Sequence, residues 1–559
     1  MKRAPKDIRI FQKIIEETQQ EIFSICNPWN IYDKQVFFVS AISIYDRFFI
    51  NSISEDKSED PFIFRIIEYS YPVFIRQFYD VSFCSLPGIA LKAMNEEQLE
   101  QYSKLIYLCG IIGWMQSFID NTNAGYYSSR TLFNYARVKF TDKFHWNEFL
   151  EQEYLTWYAS VVAEHQKEQY DSLFAELPTV LDKLKNGVFL WKDAFLGYEN
   201  DLDTEVFFQE HALLDAQQSV SWDMFPPESI FGAVRYEDIV HSLVEFSGYA
   251  IKHLYCAKIL LQGHKELLFE NLLSCFLVER DIIKLISENR SCSAEMANDI
   301  FRIISLTPDT VEYYQNGQAK GAPFIKVSSH QYARSIRGLL DDPFSFMLYN
   351  LRKTYSKDWD RNVNSREKYF RSQLYALFDA HVFRCIEHPI IIKKNGKIIT
   401  DIDAAVIDMT SGEVGLFQLK WQDPAEYSPF ALSSKRSNYN EQTEAWIKSV
   451  TTWLTENTES QIANILGTKA RFLKKNNVKL FVLGRKHGNY SGNNYPDNNC
   501  VWSQWYQLLQ VSAYLRSRKN LTIGNLYDLI EKTTPFTKPI LERPNKFIVG
   551  KYHIHFGGH

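Results

Sequence analysis

Residues 390–421 read IIIKKNGKIITDIDAAVIDMTSGEVGLFQLKW, and their pattern decides what the last third of the chain becomes. Three apolar, β-branched runs, IIIKK, KIITDIDAAVID and EVGLFQLKW, are separated by Asn395-Gly396 and Ser411-Gly412. Both dipeptides suit the tight turns of hairpins, so the stretch predicts a three-stranded antiparallel meander. Ahead of it, NSREKYFRSQLYALF places Glu367, Phe370, Leu374 and Leu377 on one helical stripe. Behind it, a helix over 440–455 carries Trp446, Val450, Trp453 and Leu454 on one side, followed by a strand, VKLFVLG, at 478–484 and further helix. Helix, three strands, helix, strand is an α/β layer with mixed pairing.

Outward from this core the chain changes character. At 559 residues it is too long for one hydrophobic core, and 45% hydrophobic with 15% aromatic content describes globular domains rather than a disordered polymer. Up to about residue 300 apolar residues recur every three or four positions, as in 96–119, 237–262 and 266–289, with Gly and Pro breaks near 186–187 and 226–227. The polar, Gly-containing stretch 307–329, ending in a strand-like run at 324–327, reads as a linker, with helical signal resuming over 332–354. The expected fold class is therefore multidomain: an all-α region at 1–305 serving as a sensor, specificity or oligomerisation domain, a linker and connecting helix at 306–350, and an α/β domain at 351–559. No Walker loop or GxGxxG fingerprint occurs in the helical part.

Eight cysteines without a CxxC pair suit a reduced compartment, and the charged N-terminus lacks the apolar core of a secretory signal. The apolar stretch 105–119 is short for a bilayer and holds Gln116, so the expectation is a soluble, cytoplasmic chain with no membrane partner. The net charge of −5 hides an asymmetry: residues 351–559 carry 30 Lys+Arg against 19 Asp+Glu, leaving the first 350 residues strongly acidic. A positive module joined to an acidic one suits binding of a polyanion by the positive part alone. Ordinary solvated surface charge produces the same count.

In the meander, Asp401 and Asp403 share one face of the second strand, and Gln418 and Lys420 share one face of the third. A hairpin joining these strands gathers carboxylate, amide and ammonium into one cluster. Phosphodiester hydrolysis assisted by a hard cation uses such a set, with oxygen ligands for the ion and a lysine to neutralise phosphate or orient water.

Over roughly 359–510 this arrangement resembles the PD-(D/E)xK superfamily, the restriction-endonuclease-like nucleases. Asp403 matches the metal-binding Asp, and Gln418 and Lys420 match the (D/E)xK step, with Gln in place of the usual acid. Mrr-type endonucleases are similar in carrying Gln-x-Lys. The resemblance implies a Mg²⁺ (or Mn²⁺) site on Asp403, the Gln418 side chain, the Leu419 carbonyl and Glu367, with Asp403, Gln418, Lys420 and Glu367 as the catalytic set. It implies DNA, or RNA, as substrate and a homodimer or a partner protein of a multi-component system. A nuclease coupled to a large helical module is similar to bacterial antiphage defence effectors.

Other roles stay open at several of these positions. Asn364-x-x-Glu367 also reads as a capping box. Asp401 is the rival metal ligand. Gln442 matches a polar position near the active lysine, or is a wet helix face. Lys435, Arg436, Arg485 and Lys486 are candidate phosphate contacts, or solvated charge. His553, His555 and His559 lack a carboxylate partner for a metal, and Trp502 and Trp505 suit a core. Replacement of the acid by Gln418 also leaves open an inactive nucleic-acid-binding scaffold.

Overall fold

The structure is a computed structural model and describes residues 7–27, 29–53, 61–141, 162, 166–199, 201–219, 221–316, 319–422, 429–485, 500–533 and 546–556. Its C-terminal part is a three-layer arrangement around a five-stranded mixed sheet. In spatial order the strands are Phe383–Cys385, Ala404–Asp408, Val414–Lys420, Val478–Gly484 and Cys500–Gln504. The first two junctions are antiparallel and the last two parallel. Parallel neighbours need a crossover, and helix Pro429–Glu456 supplies one. The period-two alternation sends Ala404, Val406, Phe417 and Leu419 to a face covered by helices Ser356–Tyr375, Trp505–Ser517 and Ile523–Lys532. Ala405, Ile407, Val414 and Leu416 point the other way, onto Trp446, Val450 and Trp453 of helix Pro429–Glu456. Both faces are buried, which is why these strands are apolar throughout rather than alternating.

The meander divides into two ladders. Among the described residues Ile390–Lys394 pairs with Lys397–Ile402 alone, as a separate hairpin whose Asn395 and Gly396 take φ of 53° and 80°, the left-handed pair that a tight turn requires. At Asp403 the chain bends, and Ala404–Asp408 then pairs with Phe383–Cys385 and Val414–Lys420. The long middle run is thus two strands that serve different sheets. The second turn is built by Asp408, whose Oδ1 accepts from the Thr410 and Ser411 N–H groups at 2.8 and 3.1 Å, while Gly412 takes φ 74°.

The first half is helix-rich, but the all-α expectation is corrected. Hairpins form at 127–140, 188–198 and 230–235, and strands Phe276–Val278, Gln331–Arg334, Phe324–Lys326 and Ser305–Leu306 make a four-stranded sheet. The 306–350 segment is not a linker. Ala322, Phe324, Ile325, Val327 and Tyr332 are buried, and at Gly338 a Cβ would lie 2.0 Å from the Ala322 carbonyl oxygen. Its glycines serve close packing rather than flexibility.

The boundary at 351 is crossed as well. Trp359 and Trp421 pack into the same apolar cluster as Phe225 and Tyr236. The C-terminal hairpin, Lys546–Val549 and Tyr552–Phe556, completes a sheet with Tyr127–Leu132 and Tyr135–Phe140 against helices Arg9–Cys26 and Glu96–Ala124. Helix Ile31–Ile53 is long and apolar enough to cross a membrane, a span the sequence reading passed over. Its Phe37, Phe38 and Tyr45 are enclosed in a core cluster, and its buried Asp46 accepts hydrogen bonds from Ser335 Oγ and the N–H groups of Ile336 and Arg337.

Candidate active site

Strand pairing creates an opening at the carboxyl end of Val414–Lys420. Its antiparallel partner begins only at Ala404, opposite Phe417, so among the described residues Gln418 to Lys420 have a strand neighbour on the parallel side alone. By the alternation of a strand, the N–H and C=O of Leu419 point to the vacated side. The bend at Asp403 fills it. The Asp403 N–H donates to the Phe417 carbonyl at 3.1 Å, and its Oδ2 accepts from the Leu419 N–H at 2.6 Å and from Gln418 Nε2. A carboxylate replaces the missing strand, and the break in the meander is what places it.

Asp403 is 2% exposed, and its carboxyl is pushed up to about 7. Burial is the largest cause and the nearby Glu367 charge the second; the Leu419 N–H and Lys420 pull the other way. The Lys420 Nζ donates to Gln442 Oε1 at 3.2 Å, so helix Pro429–Glu456 steadies the ammonium from the second layer. Asp401 lies on the separate hairpin, its side chain exposed and its carbonyl accepting from Trp446 Nε1 at 2.7 Å. Its charge still reaches Asp403, and raises that carboxyl further.

Glu367 stands on helix Ser356–Tyr375, in the opposite layer. The helix begins at Ser356, two turns before Asn364, so the capping-box reading falls: Glu367 is mid-helix, where no orphan N–H groups remain to cap. It pairs instead with Arg371, whose Nη1 lies 3.1 Å from Glu367 Oε1 and 2.7 Å from the Asp403 carbonyl. Arg371 therefore ties the helix glutamate to the bend that carries Asp403. The sequence reading missed Arg371, although its i,i+4 spacing from Glu367 was visible. It also missed Tyr375, whose hydroxyl accepts from the Ala405 N–H at 3.1 Å and donates to the Ile386 carbonyl at 2.5 Å.

Asp403, Gln418, Leu419, Lys420, Gln442 and Glu367 thus converge, and Arg485 does not join them as a phosphate contact. It is 2% exposed, pairs with Asp223, donates to Gln373 Oε1 at 2.8 Å, and lies over the Trp421 ring at 4.7 Å from its centroid. Only its backbone touches the site, through an N–H donated to the Lys420 carbonyl at 2.8 Å. A buried guanidinium committed to the Asp223 carboxylate and stacked on aromatic rings is not open to a phosphate from solvent. Lys486 and the side chains of Lys435 and Arg436 lie outside the described residues.

Among the described residues no group of three or more His, Cys, Asp and Glu side chains converges as a metal cluster. Two carboxylates, Asp403 and Glu367, lie close enough for one to shift the other, beside the Gln418 amide and the open side of Leu419. That set is hard oxygen, and it fits an ion such as Mg²⁺ that keeps several waters and takes one or two carboxylates. No protein-family model, no curated protein and no solved structure matches this chain.

Proposed function

We propose that the chain is a metal-dependent endonuclease that hydrolyses DNA phosphodiesters, with a restriction-endonuclease-like C-terminal part. The observation that carries the reading is the bend at Asp403, which holds a carboxylate against Gln418 and Leu419 at the open end of the strand that presents Lys420. Asp403 and Glu367 would hold the ion, with Gln418 and the Leu419 carbonyl as neutral oxygen donors. Bound there, Mg²⁺ or Mn²⁺ supplies Lewis-acid stabilisation of the charge that builds on the scissile phosphate. Lys420, steadied by Gln442, places a second positive charge for a non-bridging phosphate oxygen and orients the attacking water. Arg371 ties the Glu367 carboxylate to the main chain at Asp403. The excess of Lys and Arg after residue 351 favours a polyanion on this part of the molecule.

Incubation of the full-length protein with supercoiled plasmid and with single-stranded RNA, in Mg²⁺, Mn²⁺ or chelator, tests the proposal. The expected result is metal-dependent nicking of the plasmid. It should fall on the order of 100-fold or more in both Asp403→Ala and Lys420→Ala. Cleavage of RNA alone would move the substrate class while keeping the site. A wild type that binds DNA without cutting either polymer would favour the inert scaffold, and cleavage that survives both substitutions would overturn the assignment.

A further inference from the structure

A second site lies in the acidic first half. The hairpin Val188–Trp191 and Phe195–Tyr198, turned by Lys192 and Asp193 at φ 49° and 56°, leans over a cavity of about 470 Å³. Trp191, Phe195, Tyr198 and Phe276 give it aromatic walls, and Lys192 and His253 lie among its lining. Among the described residues no carboxylate lines it, in a half of the chain where Asp and Glu strongly outnumber Lys and Arg.

Behind the wall is Arg334, 4% exposed. Its guanidinium donates a hydrogen bond to the Tyr198 hydroxyl, its Nη1 reaches the Tyr249 carbonyl only at 3.5 Å, and its Nε and Nη2 make no hydrogen bond among the described residues. Its charge is felt by Tyr198 and His253, both of which line the cavity. The carboxylate it senses, Asp46, is already occupied by Ser335, Ile336 and Arg337. A guanidinium enclosed without an ion pair is costly, and structures that keep one usually complete it with an anion. Tyr198 is the link: its hydroxyl stands 3.2 Å from His253 Nδ1, beside the guanidinium. At the mouth Trp191 remains 43% exposed, with the Lys192 ammonium 4.5 Å from its ring centroid.

We infer that this cavity binds a planar aromatic anion of nucleoside-monophosphate size, with the ring against Trp191 and Phe195 and the anionic group directed to the Lys192, Tyr198 and Arg334 side. A few hundred Å³ with aromatic walls and a small number of convergent polar groups is the form of a small-ligand site. Stacking on an aromatic ring holds any base, and the cations select against the neutral nucleoside. The inference stands apart from the nuclease reading, because no residue is shared between the two sites.

Calorimetric titration of the full-length protein with AMP, GMP, CMP and UMP tests it, with adenosine and inorganic phosphate as the two half-ligands. At least one nucleotide should bind at one per chain, and both half-ligands should bind about ten-fold more weakly or worse. Trp191→Ala and Lys192→Glu, both at exposed positions, should each weaken binding about ten-fold while leaving the melting temperature unchanged. Lys420→Ala should bind as the wild type does, which separates this cavity from the Asp403 site. Absence of binding by every nucleotide, affinity for adenosine equal to that for AMP, or binding untouched by both cavity variants would overturn the inference.

Discussion

Asp403 carries two burdens, since it completes a strand ladder and sits as an acid in an enclosed position. The sign of its effect on stability follows from its carboxyl moving from 3.8 up to about 7 through burial first and Glu367 second. An Asp with a raised value favours the folded state in its protonated form. Its ionisation costs nothing below about pH 4, costs more as pH rises towards 7, and costs the full amount above that. Asp403→Asn keeps an acceptor for the Leu419 N–H and removes the charge. In chelating buffer it should therefore be more stable than wild type at pH 8, by about 2–4 kcal/mol, with the difference vanishing near pH 4. Denaturant titrations at pH 4, 6 and 8 measure this; a gain independent of pH would mean that the carboxyl is not strained. The nearness of this residue to Gln418 and Lys420 was legible in the sequence through the hairpin that joins their strands. The role of its backbone was not, because a bend that moves a chain from one sheet to another has no signature in a continuous apolar run.

At the scale of elements, turns were readable and partners were not. Asn395-Gly396 closes a hairpin as its chemistry requires, and the stripe of Trp446, Val450 and Trp453 packs on the sheet as its spacing requires. Whether Lys397–Ile402 and Ala404–Asp408 belong to one sheet depends on Tyr375 and Trp446, which arrive from helices before and after them in sequence. The Tyr375 hydroxyl joins the Ala405 N–H to the Ile386 carbonyl, and the Trp446 indole takes the Asp401 carbonyl. Tyr375→Phe leaves two backbone groups without that partner and should cost about 1–3 kcal/mol by thermal or chemical denaturation. Were the cost near zero, the hydroxyl would not be what stabilises the strand switch. Arg485 teaches a related point: a basic run after a strand reads as solvated charge, yet the first residue of Arg485-Lys486-His487 is enclosed by Trp421, Phe370 and Trp505.

The whole molecule is joined more tightly than a helical module tethered to an α/β domain. Arg485 meets Asp223 from the first half of the chain, and Arg366 stacks on Phe225 at 3.8 Å from its ring centroid. The C-terminal strands lie beside Tyr135–Phe140, with Phe547 edge-on to Trp114 at 5.1 Å. Pairings separated by more than 400 residues leave no local trace, so neither they nor the burial of 319–339 could be read from periodicity. Arg485 is buried and Asp223 only partly so, and removing the Asp223 carboxylate strands the guanidinium. Asp223→Ala should accordingly destabilise the chain by about 3–5 kcal/mol, and much less on an Arg485→Ala background than alone. Full additivity in this double-mutant cycle would show that the two halves are not coupled there. The pair also lies one hydrogen bond from Lys420, through the Arg485 N–H.

The most direct test of the central claim is to measure Mn²⁺ binding and plasmid nicking on the same preparations of wild type, Asp403→Ala and Lys420→Ala. If Asp403 holds the ion and Lys420 acts on the phosphate, the wild type binds Mn²⁺ and nicks, Lys420→Ala binds Mn²⁺ without nicking, and Asp403→Ala does neither. Undiminished nicking by Lys420→Ala, or undiminished Mn²⁺ binding by Asp403→Ala, would contradict the account.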